Sequence, residues 1–474
     1  MPLGNFIGGR FVPPHSGAYI DDLNPATEEV IAAIPDSDGQ DIDDAVVAAK
    51  EAFPVWSRTP AAERSRLLLK LADLIEQNLE ELARLESIDN GKALSLARRL
   101  DIPRAVLNFR FFATGILHQS TEAHSTDGAA LNYTLRQPLG VAGLISPWNL
   151  PLYLLSWKIA PAIATGNTCV AKPSELTPLT ANRLAELSIE AGIPPGVINI
   201  VHGYGSKAGR ALAAHPDVPL ISFTGGTVTG AAVAANAAPR FKKLSLELGG
   251  KNPNLIFADA DLDDAVATTI RSSFWNQGEI CLCGSRIFVE RSAYDAFVDR
   301  FVAATQKLKI GDPLDESTDV GALISAEHLK KVTGYIELAK QEGGTIVAGG
   351  HRVDRRGYFV EPTIITGLGT NCRVLQEEIF GPVVTVTPFD GEEEAIAMAN
   401  STRYGLASTV WTRDLQRAHR VAAAIDSGTV WINCWLLRDL RVPFGGMRES
   451  GVGREGGFES LNFFTEAKNV CVKL

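Results

Sequence analysis

Cysteine and methionine are scarce, six and three in 474 residues. The cysteines, at 169, 281, 283, 372, 434 and 471, are too few and too scattered for a disulfide framework, which points to a reducing, cytoplasmic setting. No run of 18 apolar residues occurs, since Pro, Lys or Gly interrupts every candidate, so no membrane partner is expected. Met1 to Arg10 lacks a charged segment followed by an apolar one, so no secretory leader is expected. Runs of Lys and Arg are absent too. With 45 basic against 55 acidic residues the net charge is −10, which opposes a polyanion and excludes nucleic acid as the expected partner. Repeats and low-complexity segments are also missing. Neither Gly203-Tyr204-Gly205 nor Phe223-Thr224-Gly225-Gly226-Thr227, each just after a predicted strand, spells the usual glycine-rich dinucleotide fingerprint.

What remains is an ordinary apolar and charged composition, 45% and 21%, on a chain too long for one core. The first ~35 residues read as hairpin strands broken by Gly8-Gly9 and Pro13-Pro14. Asp41 to Phe53 carries a helical stripe of Ile42, Ala45, Val46 and Ala49. A second helix is predicted with Thr59 as cap, Pro60 at its first position, leucines to Leu85 and a stop at Gly91. From Leu139 short buried strands (141–146, 168–172, 197–201, 220–223, 244–248) alternate with helices (156–165, 178–191, 206–214, 227–237). That alternation implies a parallel sheet covered on both faces. A second alternating series from about Asn254 to Gly428 implies a second α/β domain. The last ten residues alternate as a strand that invites pairing elsewhere, across subunits included.

Several residues stand where chemistry is plausible, each with an ordinary structural alternative. Cys281, in Asn276-Gln277-Gly278-Glu279-Ile280-Cys281, is either a buried small apolar residue or a reactive thiol. Glu247 ends an apolar strand, as a carboxylate paired to a lysine or as a desolvated general base. Asn149 lies between Pro147 and Pro151, satisfying turn backbone or donating to an oxyanion. Phe223-Thr224-Gly225-Gly226-Thr227 joins strand to helix where free N–H groups favour an anion, and Gly203-Tyr204-Gly205 also follows a strand.

Together these segments resemble the aldehyde dehydrogenase superfamily along essentially the whole chain. The resemblance is carried by Pro147-Trp148-Asn149, Lys172-Pro173-Ser174-Glu175, Phe223-Thr224-Gly225, Glu247-Leu248-Gly249-Gly250-Lys251, Cys281, Glu378-Ile379-Phe380-Gly381-Pro382 and Pro443-Phe444-Gly445-Gly446. The interval of 34 residues from Glu247 to Cys281 fits as well. The resemblance implies an α/β fold of two doubly wound domains, a variant Rossmann cofactor domain and a catalytic domain, with a small β oligomerisation extension. The corresponding boundaries are 1–117 with 138–249, 250–450, and 118–137 with 451–474. It further implies NAD as cofactor, no metal, and a homodimer or homotetramer. Cys281 would be the nucleophile, Asn149 with the Cys281 N–H the oxyanion hole, and Glu247 the activator of water. Lys172 and Glu175 would hold the adenosine ribose, Gly225 and Gly226 the pyrophosphate, Glu378 and Phe380 the nicotinamide end. Trp148, Gly205 and Leu248 would contact the same cofactor. Two departures stand out: the family usually has Ser at Gly226 and Gln at Glu279.

Further segments, Asn108-Phe109-Arg110-Phe111-Phe112 and Asn433-Cys434-Trp435-Leu436-Leu437-Arg438-Asp439-Leu440, resemble the branch that oxidises 2-aminomuconate 6-semialdehyde in tryptophan degradation. Close relatives in that branch act on 2-hydroxymuconate semialdehyde. The resemblance assigns Arg110 and Arg438 to the carboxylate of such a substrate. The alternatives are a general aldehyde dehydrogenase, acyl transfer to coenzyme A, and a non-catalytic binding or structural protein that reuses the fold.

Overall fold

The computed structural model describes residues 2–474. Five parallel strands form the centre of an eight-stranded sheet, in spatial order Ile198–Ile200, Thr168–Lys172, Val141–Ile145, Leu220–Thr224 and Lys243–Glu247. The first four are buried at every residue, because helices cover both faces and leave no polar side to alternate with. The chain winds outward from Val141–Ile145 in one direction and then returns to its other side with Leu220–Thr224. At such a reversal the loops at the carboxyl ends of adjacent strands part and leave a crevice. The two loops here are Ser146 to Pro151 and Thr224 to Gly226.

A second sheet of seven strands has the same character. Its order is Thr345–Ala348, Thr363–Thr366, Val383–Phe389, Arg286–Glu290, Pro253–Ile256, Ala407–Trp411 and Thr429–Ile432, parallel except for the first pair. The terminal strand Thr465–Lys473 pairs antiparallel with Ala130–Pro138 of its own chain, and Ala123–Thr126 completes a three-stranded sheet. The pairing that the terminal strand invites is thus met on one side within its own chain, and it forms an edge of that sheet. Residues 451–452, grouped with that extension by the sequence, instead pair with Leu246 and Glu247 at the edge of the first sheet. Among the described residues no helix is long and apolar enough to cross a membrane.

Helix boundaries moved where capping chemistry differed from expectation. The first helix spans Gly39–Trp56 because Asp38 and Asp41 form a reciprocal capping box, and Ile42, Ala45, Val46 and Ala49 are buried on it as the periodicity required. Thr59 caps nothing. Its hydroxyl donates back to the Val55 carbonyl, Pro60 takes the cap position, and the helix starts at Ala61. The leucine stripe is two helices, Ala61–Gln77 and Leu79–Asn90, parted at Asn78 and ended by Gly91 at φ +87°. The helix expected from 156 begins at Pro151, a residue suited to a first turn that needs no N–H.

Candidate active site

Cys281 sits on a loop that follows the helix Leu262–Phe274. Asn276 (φ +52°), Gln277 (+54°) and Gly278 (+73°) all lie in the left-handed region, at a cost of about 1–2 kcal/mol for each non-glycine residue. Gly278 has no alternative, since a Cβ there would stand 2.3 Å from the Gly381 carbonyl oxygen. The turn presents Cys281 between two hollows. One is lined by Leu150, Tyr153, Trp157, Glu247, Arg438 and Phe444. The other is lined by Gly250, Gly278, Glu378, Phe380 and Gly381. Burial, followed by the charges of Glu378 and Glu247, pushes the thiol up to about 12, while Arg438 pulls it down. Alkylation of Cys281 by iodoacetamide in the cofactor-free protein should thus rise about tenfold per pH unit up to about pH 10, and Arg438→Ala should keep that slope with a lower rate at every pH. A plateau below about pH 9, read by peptide mass spectrometry, would contradict this. Cys283 is buried in the apolar cluster behind the loop with Leu282 and Trp435.

Glu247 ends the strand Lys243–Glu247, and the edge strand Gly451–Val452 and the Gly445 turn close over it. Gly445 passes so near that a Cβ would lie 2.8 Å from Glu247 Oε1. Both carboxylate oxygens are buried without a hydrogen-bond partner. Burial, then the neighbouring Glu455, raises this carboxyl well above its usual range, opposed by Lys158 and Arg438. Lys158 is fully buried, 3.2 Å from Glu455 Oε1, and donates to Ser222 Oγ at 2.9 Å. Sequence reasoning missed Lys158 and Glu455. A lone lysine inside the otherwise apolar Pro151–Ala164 was the available signal.

Asn149 belongs to the crevice loop that follows the strand Val141–Ile145 and leads into the helix Pro151–Ala164. Its amide donates to the Glu279 carbonyl at 2.8 Å, which ties the turn to the Cys281 loop two residues before the cysteine. Asn276, also unnoticed in the sequence, donates to the carbonyls of both Asn149 (3.0 Å) and Glu279 (3.2 Å). The Glu279 side chain points away from the thiol. It is fully buried, accepts from the Ile324 N–H at 3.2 Å and from Gln277 Nε2 at 3.4 Å, and burial holds its carboxyl well above the usual range. The departure from Gln thus places a carboxyl whose charge is disfavoured by burial in a structural pocket, where its two oxygens accept from Ile324 and Gln277.

The second hollow continues into a surface suited to a dinucleotide. Glu378 Oε1 accepts from the Gly250 N–H at 2.9 Å, and a Cβ on Gly249 would lie 2.2 Å from Glu378 Oε2, so glycine is required for this approach. Phe380 adopts φ +63°, and its ring packs edge-on to Trp148 at 5.3 Å. His328, a further residue the sequence did not flag, meets the Phe380 carbonyl at 2.6 Å, and burial lowers its pKa to about 4. Across the crevice, Gly226 caps the helix Thr227–Ala237 without any side-chain hydrogen bond, which leaves first-turn N–H groups available to an anion. A Cβ on Gly226 would meet nothing within 4 Å, so the serine usual at this position would fit and its hydroxyl is simply missing. Leu248 packs against Gly230 of that helix. Lys172 and Glu175 pair at 3.0 Å at the end of their strand, and Gly205 opens the helical turn beside them.

The family model described as "Aldehyde dehydrogenase family" matches residues 11–470. The chain belongs to this family. It is 58% identical to a 2-aminomuconic semialdehyde dehydrogenase of Danio rerio, over 100% of this chain and 98% of that one. It is 48% identical to a 2-hydroxymuconic semialdehyde dehydrogenase of Pseudomonas sp. (strain CF600), over 100% and 99%. A Bacillus cereus aldehyde dehydrogenase solved as an NAD+ complex superposes with a TM-score of 0.98 at 44% identity, covering 100% of this chain and 97% of that one.

In this aldehyde dehydrogenase the two arginines singled out by sequence part company. Arg438 lines the Cys281 hollow, its guanidinium 3.8 Å from the centre of the Phe444 ring, with no ion pair or hydrogen bond among the described residues. Arg110 does not reach the hollow and must be corrected. It lies on the outer face of the helix Ile102–Gly115, paired with Asp73 at 2.8 Å and Glu76 at 2.6 Å. The inward arginine is Arg104, six residues earlier and so about 120° away around the helix. It is buried over Tyr153 and Trp157, bonded through Nε to Asn108, and close enough to Arg438 for the two charges to repel. Its Nη2 is buried without a partner.

Proposed function

We propose that this chain oxidises 2-aminomuconate 6-semialdehyde to 2-aminomuconate with NAD, and that 2-hydroxymuconate semialdehyde is its alternative substrate. One observation carries the substrate class: Arg438 lines an apolar hollow that ends at a cysteine, Arg104 is buried behind two of its walls, Tyr153 and Trp157, and neither guanidinium forms an ion pair with a carboxylate among the described residues. A buried cation without a counter-ion is costly, and an anionic ligand relieves the cost. Tyr153, Trp157, Leu436 and Phe444 would flank an unsaturated carbon chain between the carboxylate and the aldehyde. The names of the relatives at 58% and 48% identity support the same class and the order of preference.

In this reading the Cys281 thiolate adds to the aldehyde carbon, and the oxygen takes up charge facing the free Asn149 N–H and the Cys281 backbone N–H. Lys172 and Glu175, the glycine turn at 225–226, Glu378, Trp148 and Phe380 would hold NAD, with Gly205 and Leu248 beside it; when bound, NAD accepts the hydride. Loss of hydride from the former aldehyde carbon leaves a thioester on Cys281. Glu247 then takes a proton from water as the water oxygen adds to the thioester carbonyl, and expulsion of the thiolate releases the carboxylate.

The test is discrimination. Arg104→Ala and Arg438→Ala should each lower kcat/KM for 2-hydroxymuconate semialdehyde roughly 10- to 150-fold, the equivalent of about 1.5–3 kcal/mol for a lost hydrogen bond to a charged group. An uncharged aldehyde of similar length should lose little in Arg104→Ala and, in Arg438→Ala, only the smaller part owed to the less ionised Cys281 thiol, and Arg110→Ala should behave as the unsubstituted enzyme. Equal losses with charged and uncharged aldehydes would make the arginines supports of the fold and remove the carboxylated substrate.

A further inference from the structure

Lys92 has no part in the chemistry above, yet its side chain is fully buried directly after the Gly91 turn. A buried ammonium costs several kcal/mol unless its charge and its three N–H donors are met. Two hydrogen bonds and a second nearby carboxylate meet them. The ammonium pairs with Asp101, lies 3.5 Å from Glu86 Oε1, and donates to the backbone carbonyl of Asn149 at 3.0 Å. Glu86 reaches the same turn from its other end, accepting from the Leu152 N–H at 3.4 Å, and Asn90 donates to the Trp148 carbonyl at 2.9 Å. The segment from Glu86 to Lys92 thus grips the backbone of 148–152 at three points. Beyond the turn, the Asn149 side chain holds the Glu279 carbonyl, so one run of bonds leads from Lys92 to the loop of Cys281.

We propose that Lys92, with Glu86 and Asp101 as its counter-charges, is a positioning residue for the Asn149 amide. It holds the peptide from which the N–H facing the substrate oxygen is aimed. The proposal rests on the reading of Asn149 as an oxyanion donor. Nothing from Lys92 touches the thiol or the cofactor surface, so its removal should act on the chemical step chiefly through the Asn149 turn, with its charge felt otherwise by the buried Glu279 carboxyl.

The experiment is a double-mutant cycle of Lys92→Met and Asn149→Ala, with three readouts: kcat and KM for NADH formation, NAD binding by fluorescence, and alkylation of Cys281 by iodoacetamide without cofactor. Lys92→Met should lower kcat about 10- to 100-fold, the size expected of an ångström-scale misplacement. NAD affinity and the alkylation rate should stay within about threefold, and Lys92→Met should cost no more than about twofold further once Asn149 is alanine. Lys92→Arg, which keeps charge and donors, should recover part of the loss. If Lys92→Met does not fold, the charge-matched pair Lys92→Met with Asp101→Asn carries the same expectations. Additive losses in the cycle would overturn the positioning role while leaving Asn149 in place. So would parallel falls in kcat, NAD binding and alkylation, which would mark Lys92 as a support of the fold. A wild-type rate for Asn149→Ala would instead strike the oxyanion reading itself, and the proposal with it.

Discussion

Cys281→Ser should reduce NADH formation by on the order of 10³-fold or more, because a hydroxyl is a far weaker nucleophile than a thiolate and Cys281 is the thiol that lines the hollow of Glu247 and Arg438. Cys283→Ser should retain most of its activity. Its sulfur lies in the apolar cluster behind the loop, and serine there costs packing rather than chemistry. The two variants differ by two positions in a strained turn, so the contrast tests register as well as identity. Loss in Cys283→Ser with activity kept in Cys281→Ser would show that the turn presents the other sulfur to the substrate.

Glu247→Gln is expected to separate the half-reactions. Acylation and hydride loss do not use this carboxylate, so one equivalent of NADH per active site should appear as a burst. Steady turnover should then fall about 10²- to 10⁴-fold, the usual range for a lost general base. Intact-protein mass spectrometry should find an acyl group on Cys281. The pH dependence has a definite sign. Burial and Glu455 hold the Glu247 carboxyl above the ordinary range, and only its ionised form can take a proton from water. Thioester hydrolysis should therefore accelerate as pH rises through the raised pKa and fail as pH drops below it, and this dependence should vanish in Glu247→Gln. Unchanged turnover in the variant would remove Glu247 from the mechanism.

Both variants concern residues that could be found without coordinates, because each stands where a local pattern ends. Buried strands read clearly as short apolar runs, and Asn149, Gly225 and Glu247 follow three of them directly. In a parallel sheet the carboxyl ends of the strands gather along one edge, so residues far apart in the chain but each just past a strand must meet there. The sequence order of strands and helices therefore determined the crevice, and with it the neighbourhood of Asn149, Gly225 and Glu247, whereas Cys281, on a loop after a helix, was brought there by tertiary packing. The family's motifs supplied the roles.

Other features were decided only by packing. Helical periodicity shows which residues share a face, but not which face turns inward. The helix Ile102–Gly115 lies against both Ala61–Gln77 and Pro151–Ala164. That arrangement buries Arg104 against Tyr153 and sends Arg110 out to Asp73 and Glu76. A flanking run of phenylalanines made Arg110 look enclosed, but Phe109 and Phe112 occupy the buried face while the arginine between them does not. The buried charges were hidden for a related reason. Lys158 finds Glu455 almost 300 residues away, and Lys92 finds its acceptor on the 148–152 turn. A lysine's letter is the same whether water or a distant carboxylate receives its charge. The cost of burying it is met only by groups that the tertiary fold brings together.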